Sequence, residues 1–500
     1  MGGTPVHADG SFALGTLVDA SIGGGSASST PVGLKPSPEQ AGRPGGLIAV
    51  GDSTILNRGE LQAFLTRMNL RPPNDQTDAE LLLRLYAAAG PDALAQVRGM
   101  FSLAIWNGTA LYIASDPFGA RTVFYTRSDG CFAAASSLRA IRSWPRLSPE
   151  LNPSAVRSFL SMGYLPGEET LVKGVFKLLP ASVLRVGLDR GLDLRTYWTP
   201  AEGPWDEISP REAYAAHLRE LLEAAVRECL PKERSVGVFL SGGIDSSLVA
   251  ALAAKLHDQP VKTFTASFTP SGYTEAPYAS LVAEHCGVQS HELTFTGDDV
   301  AGHFAETIKR MECPVGEGLT VPNILLSRAA AEHGVDVILN GEGGDPCFGG
   351  PKNIPMLMFE YHRTAPDPAA RVAAYLQAHR HCYNDLQVLL TPDFQRRLDE
   401  EPPLELRLQP YLEAPHMRYF LNKLMFTNLR LKGPGFMLTK VEFLTPVYGV
   451  QGRCPLFDKR VVDYSFAIPP SYKLFGTREK WTLKLAVSDL LPAEIILRPK

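Results

Sequence analysis

From Arg211 onward the chain alternates short apolar runs with amphipathic stretches, and this rhythm restricts its folding more than any other feature. The helix REAYAAHLRELLEAAVRECL is followed by strand SVGVFL, helix SSLVAALAAKLH, strand VKTFTASF, helix APYASLVAEHCG and strand SHELTF. Helices AGHFAETIKRM and VPNILLSRAAAEHG and strand VDVILN complete the series. Strands separated by helices cannot pair as hairpins. The region is therefore expected to form a parallel, doubly wound sheet whose loops gather at one edge. After Gly350 the pattern turns mainly helical to Lys500, and no internal repeat interrupts it.

The upstream half has a different texture. Residues 1–46 are rich in Gly, Ser and Pro and read as a weakly ordered segment with little core. LIAVGD then reads as a strand, and ELQAFLTRM and DAELLLRLYAAAG as helices, the second closed by Gly90. FSLAIWNGTALYIASD and VFYTRSDGCFAAAS each place two apolar runs around Asn107-Gly108 or Asp129-Gly130, which signals hairpins. Phe101 and Trp106 read as packing residues of that sheet. Separate runs of hairpins and helices predict an α+β layer domain. Residues 151–200 add a helix (PSAVRSFLSMG) and a short strand pair (KLLPASVLRVGLDRGLDLRTYW), and the turn-rich TPAEGPWDEISP reads as a linker near 200–210. The expected division is thus 1–46, 47–205 and 206–500, in keeping with a 500-residue chain of two or three domains.

Composition removes several classes of function. Lys+Arg 49 against Asp+Glu 53 gives a net charge of −4, so no basic field would recruit nucleic acid or anionic lipid. The longest apolar runs, Val236–Leu240 and Val335–Leu339, are strand-sized, far short of the roughly 20 residues of a membrane helix. Seven scattered cysteines with no CxxC pair suit neither a disulfide framework nor a zinc site, and a reducing cytoplasm is the simplest compartment. The N-terminus lacks the basic and apolar regions of a signal peptide. His379-Arg380-His381-Cys382 looks like a metal motif, but neighbours in a helix do not share a face, so it is expected to be solvated.

Two loops carry the chemistry. Ser241-Gly-Gly-Ile-Asp-Ser-Ser247 joins an apolar strand to a helix. Gly242 and Gly243 let the backbone approach a phosphate, the helix N-terminus favours an anion, and Ser241, Ser246 and Ser247 add hydroxyls. Asp245 is an anion itself and makes sense as a ligand of Mg²⁺ bridging to pyrophosphate. The absence of a Lys excludes the P-loop pattern GxxxxGK[ST]. The second loop, Asn340-Gly-Glu-Gly-Gly-Asp-Pro-Cys-Phe-Gly-Gly350, follows the strand VDVILN and should lie on the same sheet edge. Its five glycines read as an open backbone, and Glu342 and Asp345, three residues apart, can face one cavity.

SGGxDS resembles the pyrophosphate loop of N-type ATP pyrophosphatases, and SGGIDSS followed by GEGGDPCFGG resembles the asparagine synthetase superfamily, whose second motif usually reads GEGADE-x-FGGY. Gln451-Gly-Arg-Cys-Pro-Leu-Phe-Asp458 is similar to that family's EARVPFLD, and Arg498-Pro-Lys500 to its RxK. GMFSLAIWNGTALYIASDPFGARTVFY (99–125) resembles its glutaminase segment, and PSAVRSFLSMGYLPGEETLVKGVFKLLPASVLRV its inter-lobe segment, so the likeness runs from Leu47 to Lys500.

The resemblance implies an α/β protein. Its N-terminal part would be an Ntn-hydrolase-like α+β sandwich, a degenerate class II glutaminase. Its C-terminal part would be an adenine nucleotide α-hydrolase-like ATP pyrophosphatase with a helical end. It implies ATP and Mg²⁺ as cofactors, and activation of a carboxylate as an acyl-adenylate followed by attack of ammonia or another amine. Ser241, Gly242, Gly243, Asp245 and Ser246 would cradle the phosphates, with Gly341 against the nucleotide. Phe239, Leu240 and Ser267 would line the adenosine side. Asp245 and Asp345 would hold the metal, Lys500 would neutralise developing charge, and Glu342 would act as a base near the amine. The expected partners are small-molecule substrates, with no nucleic acid and no membrane, and a homodimer is a candidate assembly.

Departures from the family pattern refine this expectation. The glutaminase needs a Cys directly after the initiator Met, where this chain has Gly2, and its first cysteine is Cys131. The HRGPD-like segment is absent, and Asp52-Ser53-Thr54 stands for the NGE of the glutamine-binding loop. Thr77-Asp78-Ala79-Glu80 keeps the spacing of the family's SDTE, but a lone Asp hydrolyses nothing, so the N-terminal domain reads as a relic. Pro346 replaces the acid after the motif's Asp, and Leu431–Val447 matches D-[RK]-x-S-M poorly, which leaves the carboxylic substrate open. β-Lactam synthetases carry Tyr where this chain has Glu342, so Glu favours intermolecular attack. A β-lactam synthetase-like or lasso-peptide-cyclase-like ring-forming enzyme, acting in the latter case on a peptide precursor, is the alternative, and a silent scaffold is the third reading. The chain stops at the RPK lysine, where the family continues into a further loop and helices, so a longer natural protein is expected.

Overall fold

Why the first half forms antiparallel sheets is visible in its turns. The computed structural model describes residues 5–9, 12–15, 32–34, 46–70, 72–187, 191–203, 209–269, 274–363, 367–379 and 381–498. The chain divides into two units, Met1–Pro149 with Gly174–Thr199, and Glu150–Lys173 with Pro200–Lys500. In the first unit, β1 (Pro5–Asp9) and β2 (Phe12–Gly15) pair with each other. A six-stranded antiparallel sheet contains β3 (Val32–Leu34), β4 (Leu47–Ile55), β5 (Gly99–Trp106), β6 (Ala110–Ser115), β10 (Ser182–Gly187) and β11 (Leu192–Thr196) in the order β11-β10-β6-β5-β4-β3. A smaller sheet orders β7 (Phe124–Ser128), β8 (Cys131–Ala135) and β9 (Val175–Lys177) as β8-β7-β9. At the β5–β6 turn the Asn107 side chain accepts the amides of Thr109 (3.0 Å) and Ala110 (2.8 Å), an Asx-type closure of the hairpin.

The register from Ile48↔Trp106 to Ile55↔Gly99 sets the apolar face of β4 and β5 against helices α1 (Arg58–Arg67) and α2 (Asp78–Ala89). Leu81, Leu82, Leu85, Phe101, Leu103 and Ile105 form that core, and Thr77 and Glu80 close a capping box on α2. Phe101 and Trp106 are buried, as packing required. The strands at 5–9, 12–15 and 32–34 fall within the stretch 1–46 expected to be weakly ordered, and most of that stretch lies outside the described residues.

The second unit begins with helix α4 (Pro153–Met162), which follows the short α3 (Leu138–Arg142) of the first unit. This differs from the expectation that residues 151–200 all belong to the N-terminal domain. The reason is burial: Met162 and Tyr164 pack with Val372, Tyr375, Leu376, Leu408, Leu424 and Leu431, and Gly316 N–H donates to the Gly163 carbonyl at 2.7 Å. Helix α5 (Arg211–Cys229) leads into an all-parallel five-stranded sheet of β12 (Val236–Phe239), β13 (Lys262–Phe268), β14 (Gln289–Phe295), β15 (Val337–Leu339) and β16 (Gln451–Arg453). The strand order is β14-β13-β12-β15-β16. Helices α6 (Ile244–Leu256), α7 (Ala276–Cys286), α8 (Gly297–Arg310) and α9 (Thr320–Glu332) occupy the connections. β16 interrupts the stretch read as mainly helical. At three residues it has no apolar run of its own and exists only because β15 offers a free edge. The order reverses between β12 and β15, and loops leaving a parallel sheet at such a switch point form a crevice.

All seven cysteines are free thiols, and no helix among the described residues is long and apolar enough to cross a membrane. The expectation that 379–382 is solvated fails for His379. This residue ends the helix Pro368–His379, is 6% exposed, stacks on Tyr375 at 4.2 Å and donates from Nδ1 to the Tyr375 carbonyl. Arg380 lies outside the described residues, and His381 is exposed. Burial, assisted by Lys432 and Lys352, lowers the His379 pKa from its ordinary value to about 3. A depressed histidine favours the folded state above the unfolded pKa of about 6.5, and that contribution is lost as pH falls from there towards the folded value. His379→Phe should therefore lose less thermal stability than wild type between pH 7 and pH 5, and equal losses would refute the assignment.

Candidate active site

β12 is buried along Val236 and Val238, and its end delivers Leu240 (2% exposed) to the sheet, where its amide donates to Phe264 O at 3.0 Å. Ser241 then turns out into solvent. Its N–H donates to Ser246 Oγ at 3.1 Å, the two hydroxyls are 3.0 Å apart, and Ser246 Oγ also reaches Gly243 O at 3.2 Å. The loop thus braces itself before any ligand is present. Gly242 has φ +72°, and a Cβ there would stand 2.5 Å from Tyr278 Cβ, so only glycine fits. No side chain caps the N-terminus of α6, which leaves the amides of its first turn for an anion.

The loop after β15 crosses this same helix end. A Cβ on Gly341 would lie 2.5 Å from Ser246 N, and one on Gly344 would run into the Asp245 carboxylate. Two of the five glycines that read as an open backbone, Gly341 and Gly344, are thus close-packed against the first loop. Residues Gly344–Phe348 form a short helix, α10, that carries Asp345. Pro346 sits in its first turn, where a missing N–H costs nothing, and Cys347 and Phe348 are buried.

Asp245 and Asp345 converge on a residue not anticipated from the motifs. Lys480 Nζ is 2.5 Å from Asp245 Oδ2 and 2.5 Å from Asp345 Oδ1, and the lysine is fully buried. Burial alone would lower its pKa, but the two carboxylates more than reverse this and hold it above the ordinary lysine value. Its backbone has φ +56°, a left-handed conformation rare outside glycine, which marks a residue held in place by its surroundings. The available signal was TREKWTLK, where Glu479, Lys480 and Lys484 are all buried among apolar neighbours; nothing in the spacing showed that burial.

Glu342 takes a different cation. Lys440 Nζ lies 3.3 Å from Glu342 Oε1 and 2.5 Å from Glu317 Oε2, with the Phe436 ring 4.7 Å from the ammonium. Burial pushes the Lys440 pKa down, and Glu342 and Glu317 carry it back above its usual value. Glu342 N–H is fixed by Asn340 Oδ1 at 3.1 Å. Lys440 belongs to the segment Leu431–Val447 that matched its motif poorly, so its role was not read from the sequence.

Of the other expected positions, Phe239 packs against Phe264 and Ile338, and Leu240 is core. Ser267 turns its hydroxyl to Thr294 Oγ1 at 2.9 Å. Lys500 lies outside the described residues. Its neighbour in the RPK motif, Arg498, covers the Tyr278 ring at 3.8 Å and donates to Gly242 O at 3.4 Å and Glu275 Oε1 at 3.2 Å, tying the motif to the first loop. Among the described residues no group of three or more His, Cys, Asp or Glu could hold a metal; Asp245 and Asp345 are a pair.

In the first unit the acids at the positions of the glutaminase motifs are neutralised internally. Asp78 pairs with Arg58 and accepts the Ile55 amide at 2.8 Å, and Arg58 also donates to Gln76 O at 2.5 Å. Asp52 pairs with Arg121 at 3.0 Å.

Comparison with known proteins finds a family for each half of the chain. The family model described as Asparagine synthase matches residues 217–500, and that described as Glutamine amidotransferase domain matches residues 29–198. A putative glutamine-hydrolysing asparagine synthetase of Mycobacterium tuberculosis is 27% identical over 85% of this chain and 69% of its own length. Glutamine-hydrolysing asparagine synthetase 1 of Bacillus subtilis is 24% identical over 85% of this chain and 71% of its own. The amidase chyE of Penicillium rubens is 25% identical over 84% of this chain and 71% of its own.

Proposed function

Because the chain belongs to the asparagine synthase family, we propose that it is an ATP-dependent carbon–nitrogen ligase that activates an acid as its acyl-adenylate and transfers the acyl group to an amine. The observation that carries this reading is the convergence of Asp245 and Asp345, from two loops at the switch point, on one buried cation.

In the first step a carboxylate oxygen of the acid attacks the α-phosphorus of ATP. The bond to the bridging oxygen breaks, and pyrophosphate leaves with its electrons. The first-turn amides of α6 and the hydroxyls of Ser241 and Ser246 bind the phosphates, and Lys480 sits where the leaving charge develops. Asp245 and Asp345 would hold Mg²⁺, which supplies a bridging charge to the pyrophosphate when bound. Two carboxylates are a common protein share for that ion, and an ammonium between them marks a place built for positive charge. Lys500 is the further cation that the resemblance implies for the adenylate. In the second step the amine nitrogen attacks the acyl carbon, AMP leaves, and Glu342, held by Lys440, accepts the proton.

Ammonia or a free amine is the expected nucleophile. Glutamine hydrolysis is proposed to be lost, because Asp52-Ser53-Thr54 stands where the resemblance expects the glutamine-binding NGE and Asp78 is already paired with Arg58. ATP–pyrophosphate exchange against a panel of carboxylic acids tests the reading, followed by product mass with ammonium or glutamine as the nitrogen source. Acid-dependent exchange and an ammonia-derived amide are expected, with no turnover of glutamine. A product lighter than the acid by one water, formed without ammonia, would instead reveal ring closure, and no exchange with any acid would overturn the ligase reading.

A further inference from the structure

One peptide of the loop 241–247 is gripped at both ends. The Gly242 carbonyl accepts Arg498 Nη1 at 3.4 Å, and the N–H across the same bond, that of Gly243, points to Ser241 Oγ at 3.4 Å. Carbonyl and N–H of a trans peptide point in opposite directions, so holding the one fixes the other. Gly243 N–H therefore faces the paired hydroxyls of Ser241 and Ser246, beside the uncapped first turn of α6. Glycine stands on both sides of this bond, and Gly242 already has φ +72°, so the opposite orientation of the peptide is sterically open. A flipped peptide would turn a carbonyl oxygen, not an N–H, towards an anion, and would repel it.

Arg498 is held in place from three directions. Its guanidinium lies 3.8 Å over the Tyr278 ring, and Nη2 donates to Glu275 Oε1 at 3.2 Å. Glu275 precedes α7 but its side chain caps no amide of that helix, so the carboxylate has no local duty that competes with the arginine. The main chain of Arg498 is fixed as well. Lys484 Nζ donates to the Arg498 carbonyl at 3.3 Å and lies 3.5 Å from Glu479 Oε1. The side chains of Lys484 and Glu479 are only 2% and 6% exposed. A buried ion pair adds little net stability, so what this one contributes is the geometry it imposes on the Arg498 backbone.

We propose that Arg498 is a positioning residue that locks the Gly242–Gly243 peptide with its N–H towards the phosphates, and that the buried Glu479–Lys484 pair holds Arg498 there. This rests on the ligase reading above, which makes the anion the polyphosphate of ATP. Glu275 neutralises the guanidinium, so Arg498 acts through the geometry of the loop and not as a counter-ion to the phosphates. No bond is made or broken at it.

The test is calorimetric titration with ATP and with pyrophosphate, each with magnesium, and with adenosine as the phosphate-free control. Arg498→Met should weaken ATP and pyrophosphate roughly 10- to 100-fold and leave adenosine unchanged. Arg498→Lys should not restore binding, because an ammonium cannot span the ring, the carboxylate and the carbonyl as the planar fork does. Glu275→Ala separates a lock from a charge. A lock that loses its anchor should weaken phosphate binding by about 3- to 10-fold, whereas a cation that attracts phosphate directly would lose its counter-ion and bind it more tightly. Lys484→Met should weaken phosphate binding in the wild-type background, and by less than about twofold once Arg498→Met is present, because it acts through Arg498. In ATP–pyrophosphate exchange, Arg498→Met should raise KM for ATP and change kcat and KM for the acid by less than about threefold. Tighter binding by Glu275→Ala, restoration by Arg498→Lys or an equal loss of adenosine would overturn the proposal. Wild type that binds pyrophosphate but exchanges with no acid would remove the ligase reading alone, and the binding series still decides the lock. Wild type that binds neither ATP nor pyrophosphate would remove both.

Discussion

Replacing Lys480 with methionine is expected to destabilise the second unit by about 3 kcal/mol in the absence of divalent cations. The change leaves the carboxylates of Asp245 and Asp345 facing each other, 15% and 29% exposed, with the ammonium that now lies 2.5 Å from each removed. Magnesium should restore much of this. At about 100 times its dissociation constant, an ion that binds only the folded state adds about 2.7 kcal/mol. Wild type should gain less, because Lys480 competes for the same oxygens. Urea titrations with chelator and with magnesium, monitored by circular dichroism, measure all four values. A variant as stable as wild type without magnesium, or one that magnesium does not help, would show that the two carboxylates are not a cation site. The sign with pH is also fixed. A lysine whose folded pKa is raised contributes fully below the unfolded value of about 10.4, and the contribution fades only as pH climbs through the folded one. The wild-type advantage should therefore not fade as pH approaches 9.

Asp245→Asn should lower pyrophosphate exchange by roughly 10³-fold or more, about 4 kcal/mol of transition-state stabilisation. The amide fills the same space but cannot hold the cation that leads charge onto the leaving group. A second variant reaches this carboxylate from its neighbour. A Cβ on Gly344 would occupy the position of the Asp245 carboxylate, so Gly344→Ala must displace it. Gly344→Ala should fall within about tenfold of Asp245→Asn in exchange. Far-ultraviolet circular dichroism would verify that both variants fold. Near-normal exchange by folded Asp245→Asn would remove Asp245 from the chemistry.

The parts of this molecule that could be read from sequence are local ones. Strand, loop and helix follow one another within about 20 residues at both motifs, so periodicity and glycine placement sufficed for β12, β15 and their loops. The Asn107-Gly108 and Asp129-Gly130 hairpins were legible for the same reason. What escaped depends on distant partners. Lys480 is 235 residues from Asp245 and looks like any charged residue until the fold buries it. β16 is a strand only beside β15. Residues 150–173 join the second unit because Met162 and Tyr164 find apolar partners beyond residue 370. His379 was misjudged because helix geometry tells which residues share a face, but not which face the protein covers.

The bridge made by Lys480 also has a temporal meaning. The carboxylates it joins lie on loops near 245 and 345, yet the cation arrives only with residue 480. During synthesis the parallel sheet can begin to pair long before that lysine has been made, and the two acids then have only solvent cations to hold them. Completion of this charged cluster is therefore a late event in the life of each chain. A nascent form lacking its last residues would hold the two acids with solvent cations until its own lysine arrived, so a cation would serve there first as a folding aid.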